Sequence, residues 1–310
     1  KNRILPARNP DTGFPILHVR IVYRDYQYLE DQLMTNYASE NVYCFSIDKK
    51  APSNFQKHIR NLEKCLPNVV VAREEQEFDS AGHNQNEFQI QYLFQNHDVI
   101  IKTHIEITEI LKIFGGANDI NAGPCPDHRC IPSLEKNLGK LKLCPKSFND
   151  TEMAKCKGRD IQWGKGTMQV MLSRAAVNFI LDEIDVYPLM KEMNEMVYGV
   201  DEQLYASLQV TPEIGLPGGF HHKCIVQNYR VNWLTNSPEN DCPSGYQRHA
   251  SCIYGVEDLP MLAAPTQVMA NKMMPEFDYA VVICMSELLL NRTRDGSTID
   301  REHYESINAV

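Results

Sequence analysis

The segment Gly199-Val200-Asp201-Glu202-Gln203-Leu204-Tyr205 offers two carboxylates at what reads as a helix start, and two basic residues, Arg248 and Lys272, stand far downstream. A carboxylate that is ionised near neutral pH can take a proton from an attacking hydroxyl. Two cations can hold a diphosphate and stabilise the charge that develops as a nucleotide departs. That combination suits sugar transfer from a nucleotide donor. Adjacent residues on a helix point apart, so Asp201 and Glu202 do not make an acid–base dyad. One serves as an acid at the helix N-terminus while the other points into a cleft. Arg248 lies between Cys242 and Cys252, and a disulfide joining them would hold it on a rigid loop. In many nucleotide-sugar sites a divalent ion held by Asp-x-Asp does the cations' work, and this chain contains no Asp-x-Asp. Each residue also has an ordinary reading. Acids are common in the first turn of a helix, and lysines and arginines are mostly solvated surface charges.

Two further places carry polar groups at strand ends. Asp48 closes the run Asn41 to Ile47 and is followed by Lys49-Lys50. It is either a ligand for ribose hydroxyls or a base edge, or a helix cap or ion-pair partner of those lysines. Gln95-Asn96-His97-Asp98 follows the apolar Tyr92-Leu93-Phe94. It reads as a strand emerging into a site or as a polar turn. His97 and Asp98 are metal-ligand types, but no other ligand lies at a matching spacing.

The elements that must position these residues alternate. Ile16 to Tyr23 is short, apolar and β-branched, which predicts a strand. Tyr28, Leu29, Leu33 and Met34 recur at helical spacing. Asn41 to Ile47 is a second strand, Phe55, Ile59, Leu62 and Cys65 mark a second helix, and Val69-Val70-Val71 is a third strand. Alternation of this kind implies an α/β fold with a mostly parallel central sheet. Ligands in such sheets sit beyond the C-terminal strand ends, the kind of position Asp48 occupies. Gly115 to Gly166 holds Cys125, Cys130, Cys144 and Cys156 among many Pro, Gly, Asn and Lys residues, and is expected to be an irregular, disulfide-stapled insertion. Thr167 to Leu172 is expected as a strand, followed by helices from Arg174 to about Asp182, from Tyr187 through Met196, and over Tyr279 to Leu290. The organisation expected is one domain: a nucleotide-sugar-binding half over 14–114, the cysteine-rich insertion over 115–166, and an acceptor-binding and catalytic half over 167–310.

With 310 residues, 43% of them hydrophobic, the chain can bury a sizeable core. Its net charge of -9 and its lack of a dense Lys/Arg run argue against a nucleic-acid partner. Ten cysteines with no C-x-x-C pair suit disulfides in an oxidising compartment rather than a zinc ribbon or thioredoxin motif. The sequons Asn149-Asp150-Thr151 and Asn291-Arg292-Thr293 point the same way. No apolar run approaches the roughly 20 residues that span a bilayer. The chain begins with Lys1, so a processed form or fragment is expected, with any signal or anchor outside it.

In their order, Asn41 to Lys50, Gln95 to Thr103, Gly166 to Arg174, Val200 to Leu208, Arg248 to Leu259 and Ala270-Asn271-Lys272 resemble the core-2/I-branching β-1,6-N-acetylglucosaminyltransferase family, nematode members most closely. The resemblance runs from about Phe14 to Arg292. It implies a GT-A-like glycosyltransferase fold and a metal-independent, inverting transfer of a sugar, GlcNAc first, from a UDP-sugar to a glycan or glycoprotein hydroxyl. No cofactor is implied. The resemblance also implies a Golgi-lumen enzyme with one N-terminal membrane helix, or a secreted form. By resemblance Glu202 is the catalytic base, Arg248 and Lys272 bind the diphosphate, Asp48 contacts the uridine nucleoside, Trp233 stacks on the acceptor, and Cys242 pairs with Cys252. A one-residue shift of register would put His249 in the place of Arg248. The chain departs from the family between Phe78 and Asp98, where it lacks most of a helix that carries a cysteine pairing near Cys44. That departure sets the alternative: a non-catalytic secreted sugar-binding or inactive relative on the same fold.

Overall fold

A computed structural model describes residues 9–78, 94–126, 134–196, 198–219, 229–231, 242–249, 251–264 and 266–308. The chain forms two compact units. The first comprises Lys1–Gln76, Phe94–Ile113 and Asn228–Ser306, and the second Glu77–Leu93, Phe114–Gln227 and Ile307–Val310.

The first unit is mixed α/β. Strand β1 (Leu17–Val22), helix α1 (Tyr26–Asn36), β2 (Val42–Ile47), α2 (Ser53–Cys65) and β3 (Val69–Val71) follow the alternation of the sequence. The strands form a parallel sheet in the order β1-β2-β3, with Leu17 opposite Val42 and Tyr43 opposite Val69. Phe94 adds a parallel bridge to Arg20 on the outer edge of β1. The helices bury the residues that the 3.6-residue period selects: Tyr28, Leu29 and Leu33 from α1, and Phe55, Ile59 and Leu62 from α2. Cys65, expected on the same stripe, is exposed, and Cys44, Cys65 and Cys284 are free thiols.

A second, mixed sheet completes this unit. Strand β10 (Met269–Asn271) lies between β4 (Asp98–Ile100), antiparallel to it, and β7 (Tyr229–Val231), parallel to it. Helix α3 (His104–Phe114) follows β4. The hairpin β8 (Gln247–Arg248) and β9 (Ser251–Cys252) is antiparallel, and the Cys242–Cys252 disulfide staples it. Helices α8 (Leu259–Ala263), α9 (Tyr279–Asp295) and α10 (Arg301–Asn308) close the chain. Val281, Val282, Met285 and Leu289 of α9 join Val22, Ile47, Ile101 and Tyr254 in one core.

The second unit has a core of its own, built from Leu138, Leu141, Leu143, Ile180, Leu189, Met193, Leu204, Leu208 and their neighbours. Its elements are β5 (Ala122–Pro124), α4 (Asp150–Lys157), β6 (Gly164–Gly166), α5 (Arg174–Asp182), α6 (Tyr187–Met193), a 3₁₀ turn (Val200–Glu202) and α7 (Leu204–Val210). The cysteine-rich segment is stapled as expected by Cys144–Cys156, and Cys125 is also disulfide-bonded. It is less irregular than its composition implies, because β5 pairs with β6 and the three leucines are fully buried. Asn149, the first sequon asparagine, caps α4 by accepting from the amides of Thr151 and Glu152.

The strand expected at Thr167 to Leu172 is corrected: the strand lies earlier, at Gly164-Lys165-Gly166, and Met171 keeps only an isolated bridge to Asp119. A Cβ at Gly164 would stand 2.6 Å from the Ala206 carbonyl, and one at Gly166 only 1.7 Å from the Asn121 carbonyl oxygen. Close approach of β6 to α7 and to the backbone at Asn121 therefore selects glycine, which hides the strand from propensity.

Candidate functional site

In the first unit, three strand ends gather charge. β1 runs out into Tyr23-Arg24-Asp25, and Asp25 takes a left-handed conformation (φ 61°) before α1. The amides of Tyr23 and Arg24 both donate to Asn96 Oδ1, at 2.8 and 3.3 Å. Asn96 belongs to the polar run that leads into β4, so the two loops are laced together. The next residue, His97, is buried, and its Nε2 lies 2.7 Å from Asp25 Oδ2. The Tyr28 hydroxyl donates to the Asp98 carbonyl at 2.9 Å, pinning the start of β4 to α1.

Lys272 leaves the end of β10 within this framework. Its carbonyl accepts from the Tyr254 amide at 3.1 Å, and the amide of Met273 donates to the His97 carbonyl at 3.2 Å. Asn271 Nδ2 donates to Asp98 Oδ1 at 2.7 Å. The Lys272 ammonium is half-buried. Burial, then repulsion from Arg248 and from Arg24, outweigh the attraction of Asp98 and hold it below the usual lysine range. Arg248 reaches the same place from the stapled hairpin. Its Nη1 lies 3.7 Å from Met274 Sδ and 4.0 Å from Glu276 Oε1. His249, the alternative by register, takes the left-handed turn position (φ 52°) and is exposed. Tyr246 of the hairpin stacks on Phe277, with ring centroids 4.5 Å apart.

Asp48 stands at the end of the neighbouring strand, β2, and is buried. Its Oδ1 accepts from the Lys50 amide at 2.8 Å, which makes a turn rather than a helix cap, since Pro52 precedes α2. Asp98, by contrast, spends its carboxylate on Asn271 and on the Gln95 amide, so it is a structural acid. Asp25, His97 and Glu276 bring their ligand atoms within 4.8 Å of one another. The Arg24 guanidinium is already there, its Nε 3.1 Å from Asp25 and its Nη2 2.7 Å from Glu276.

In the second unit, Glu202 ends the 3₁₀ turn after Gly199, whose positive φ of 68° starts that turn. Glu202 Oε2 lies 3.0 Å from the Lys165 ammonium, and both side chains keep about a quarter of their surface exposed, 24% and 28%. Lys165 is the middle residue of β6, against which α7 packs. The Glu202 side chain is thus part-exposed, while its Oε2 is buried with a cation beside it. Trp233 lies outside the described residues, as does the segment from 79 to 93 that holds most of the family departure.

The structure thus brings Arg248 and Lys272 together and adds residues that the sequence reading missed: Arg24, Asp25, Glu276 and, beside Glu202, Lys165. Arg24 and Asp25 follow β1 as Asp48 follows β2, and that parallel was the available signal. Lys165 gave none, being hidden between glycines.

The family model described as "Core-2/I-Branching enzyme" matches residues 16–93 and 89–263. The chain is 26% identical over 326 residues to the beta-1,3-galactosyl-O-glycosyl-glycoprotein beta-1,6-N-acetylglucosaminyltransferase 3 of Bos taurus, covering 95% of this chain and 72% of that one. The rat protein of the same name is 22% identical over 321 residues, with the same coverage of 95% and 72%. A protein of bovine herpesvirus 4 (strain LVR140), named as a beta-1,3-galactosyl-O-glycosyl-glycoprotein beta-1,6-N-acetylglucosaminyltransferase, is 26% identical over 329 residues and is covered to 72%, for 95% of this chain. With its cations set at strand ends and a matching order along nearly its whole length, the chain belongs to the Core-2/I-branching enzyme family of glycosyltransferases.

Proposed function

We propose that this chain transfers GlcNAc from UDP-GlcNAc to a hydroxyl of a glycan on a glycoprotein, on a GT-A-like fold, with inversion and with no metal ion. Arg248 and Lys272 neutralise the diphosphate, so charge that develops on the leaving oxygen meets fixed cations. Asp48 accepts hydrogen bonds from the uridine nucleoside. Glu202 takes the proton of the acceptor hydroxyl as that oxygen attacks the anomeric carbon and the bond to the UDP oxygen breaks. Trp233 offers a ring face to the acceptor sugar. The cysteines and sequons, with the family, support a Golgi-lumen or secreted location. No helix among the described residues is long and apolar enough to cross a membrane.

The observation that carries the reading is the meeting of Arg248 and half-buried Lys272 at the end of β10, where each repels the other and an anion would relieve both. A panel of UDP-sugars offered with an O-glycan acceptor, with and without EDTA, tests it. Transfer from UDP-GlcNAc that survives the chelator is the expected result. Transfer that stops in EDTA and returns with a divalent ion refutes metal independence. No turnover of any donor, together with no heat on titrating UDP, refutes the enzymatic reading.

A further inference from the structure

Arg24 is placed by backbone geometry rather than by chance. Its amide and that of Tyr23 share Asn96 Oδ1, and the left-handed turn at Asp25 comes immediately after it. The guanidinium lies against the Tyr23 ring, 5.7 Å from its centroid. Nε is buried and has no aligned hydrogen-bond acceptor among the described residues, although Asp25 is 3.1 Å away. Asp25 itself is committed to His97 Nε2 at 2.7 Å. That leaves Glu276 as the acid that can let go. Its side chain is 47% exposed, and one oxygen, Oε1, lies 2.7 Å from Arg24 Nη2 and 4.0 Å from Arg248 Nη1.

At the strand ends Arg24 and Arg248 both repel Lys272, and a single surface carboxylate, Glu276, bridges Arg24 and Arg248. An exposed bridge of that kind is weak and exchanges with solvent. A diphosphate offers more oxygens and more charge, and guanidinium groups bind it in the forked geometry they use for carboxylates.

We propose that Arg24 is a third cation of the nucleotide diphosphate site, and that Glu276 is its resident counterion, which the diphosphate displaces. The proposal rests on the UDP-donor reading above. Titration calorimetry of the full chain with UDP and with uridine separates the two ideas. Glu276→Gln should tighten UDP roughly two- to fivefold, an effect that shrinks at high salt, and should leave uridine unchanged. Arg24→Gln should weaken UDP about tenfold or more, again without affecting uridine, and Arg24→Lys should recover part of the loss. Thermal melting of each variant shows whether it is folded, and Glu276→Gln, on an exposed side chain, gives an answer even if Arg24→Gln does not fold. UDP binding that depends on Arg248 and Lys272, but is not strengthened by Glu276→Gln, overturns this inference and leaves the donor reading standing. No UDP heat from the unaltered chain overturns both.

Discussion

The first unit collects its cations from the ends of strands, whereas the second hangs its acid on a single 3₁₀ turn. Arg24, Arg248 and Lys272 rest on a web in which Asn96, His97, Asp98, Tyr254 and Asn271 each hold another loop. Glu202 rests on Gly199 behind it and Lys165 across from it. The contrast follows from the work proposed for each. A polyanion is held by several charges whose spacing must not drift, so supports are redundant. A base needs one oxygen with access to the acceptor, so a part-exposed acid on a short turn suffices. If that division is right, damage to the two places should look different in the assay.

The largest effect is expected at the acid. Glu202→Gln keeps the shape and removes the proton acceptor, so transfer should fall by about 10²- to 10⁴-fold while calorimetry with UDP is unchanged. A variant that turns over at the original rate would remove Glu202 from the mechanism. A variant that loses UDP binding instead would break the division between the two places.

The two disulfides sharpen the comparison at a lower energy. Cys144–Cys156 and Cys242–Cys252 close loops of similar length, with sequence separations of 12 and 10. Each should therefore contribute a similar few kcal/mol, roughly 2–4. Only the second carries the Arg248 hairpin. Replacing Cys242 and Cys252 by serine should lower both the melting temperature and UDP affinity, whereas replacing Cys144 and Cys156 should lower the melting temperature alone. Equal losses of UDP affinity would show that the hairpin is not a specific support.

The first unit is the more legible in the sequence, and the reason is periodic packing. Val42 to Ile47 and Val69 to Val71 are rich in apolar β-branched and aromatic residues, and the stripes of α1 and α2 follow the helical period. Asp48 was therefore found by counting to the end of a strand. Arg24 was not, because the turn that presents it depends on Asn96, some seventy residues away. In the second unit the strand expected at Thr167 to Leu172 was the wrong one, since close backbone approach had put Gly-Lys-Gly where the pairing occurs. Single substitutions test that account. Gly166→Ala should destabilise the protein by roughly 1–3 kcal/mol in a denaturant titration, by forcing a methyl group onto the Asn121 carbonyl. Gly123→Ala, whose Cβ would meet its nearest neighbour at 3.8 Å, should change little in packing. Equal tolerance would show that β6 can move away from Asn121.

Acid should distinguish the units by a smaller margin, because among the described residues every histidine belongs to the first unit. His18 stacks on Tyr43, with centroids 5.0 Å apart, and burial, reinforced by repulsion from His104 and Arg20, pushes its pKa down to about 3. The folded protein thus resists a proton that the unfolded chain accepts near pH 6.5. Its contribution to stability is present above that pH and is lost as the pH falls from 6.5 towards 3. At pH 5.5 the loss should be on the order of 1 kcal/mol. His104 faces Glu40 at 2.9 Å instead. Burial of Glu40 is outweighed by hydrogen bonds from Thr12, His104 and Gly13, which hold its pKa down to about 2, so that pair keeps its carboxylate across the same window. Denaturant midpoints at pH 7.5 and 5.5 should therefore separate more for the unaltered chain than for His18→Phe, which keeps an aromatic ring against Tyr43 but cannot take a proton. Hydrogen exchange at pH 5.5 should show the added opening in β1 and β2 and leave β5, β6 and α7 protected, because no described histidine lies in their unit; a uniform loss of protection would mean that the two units unfold together.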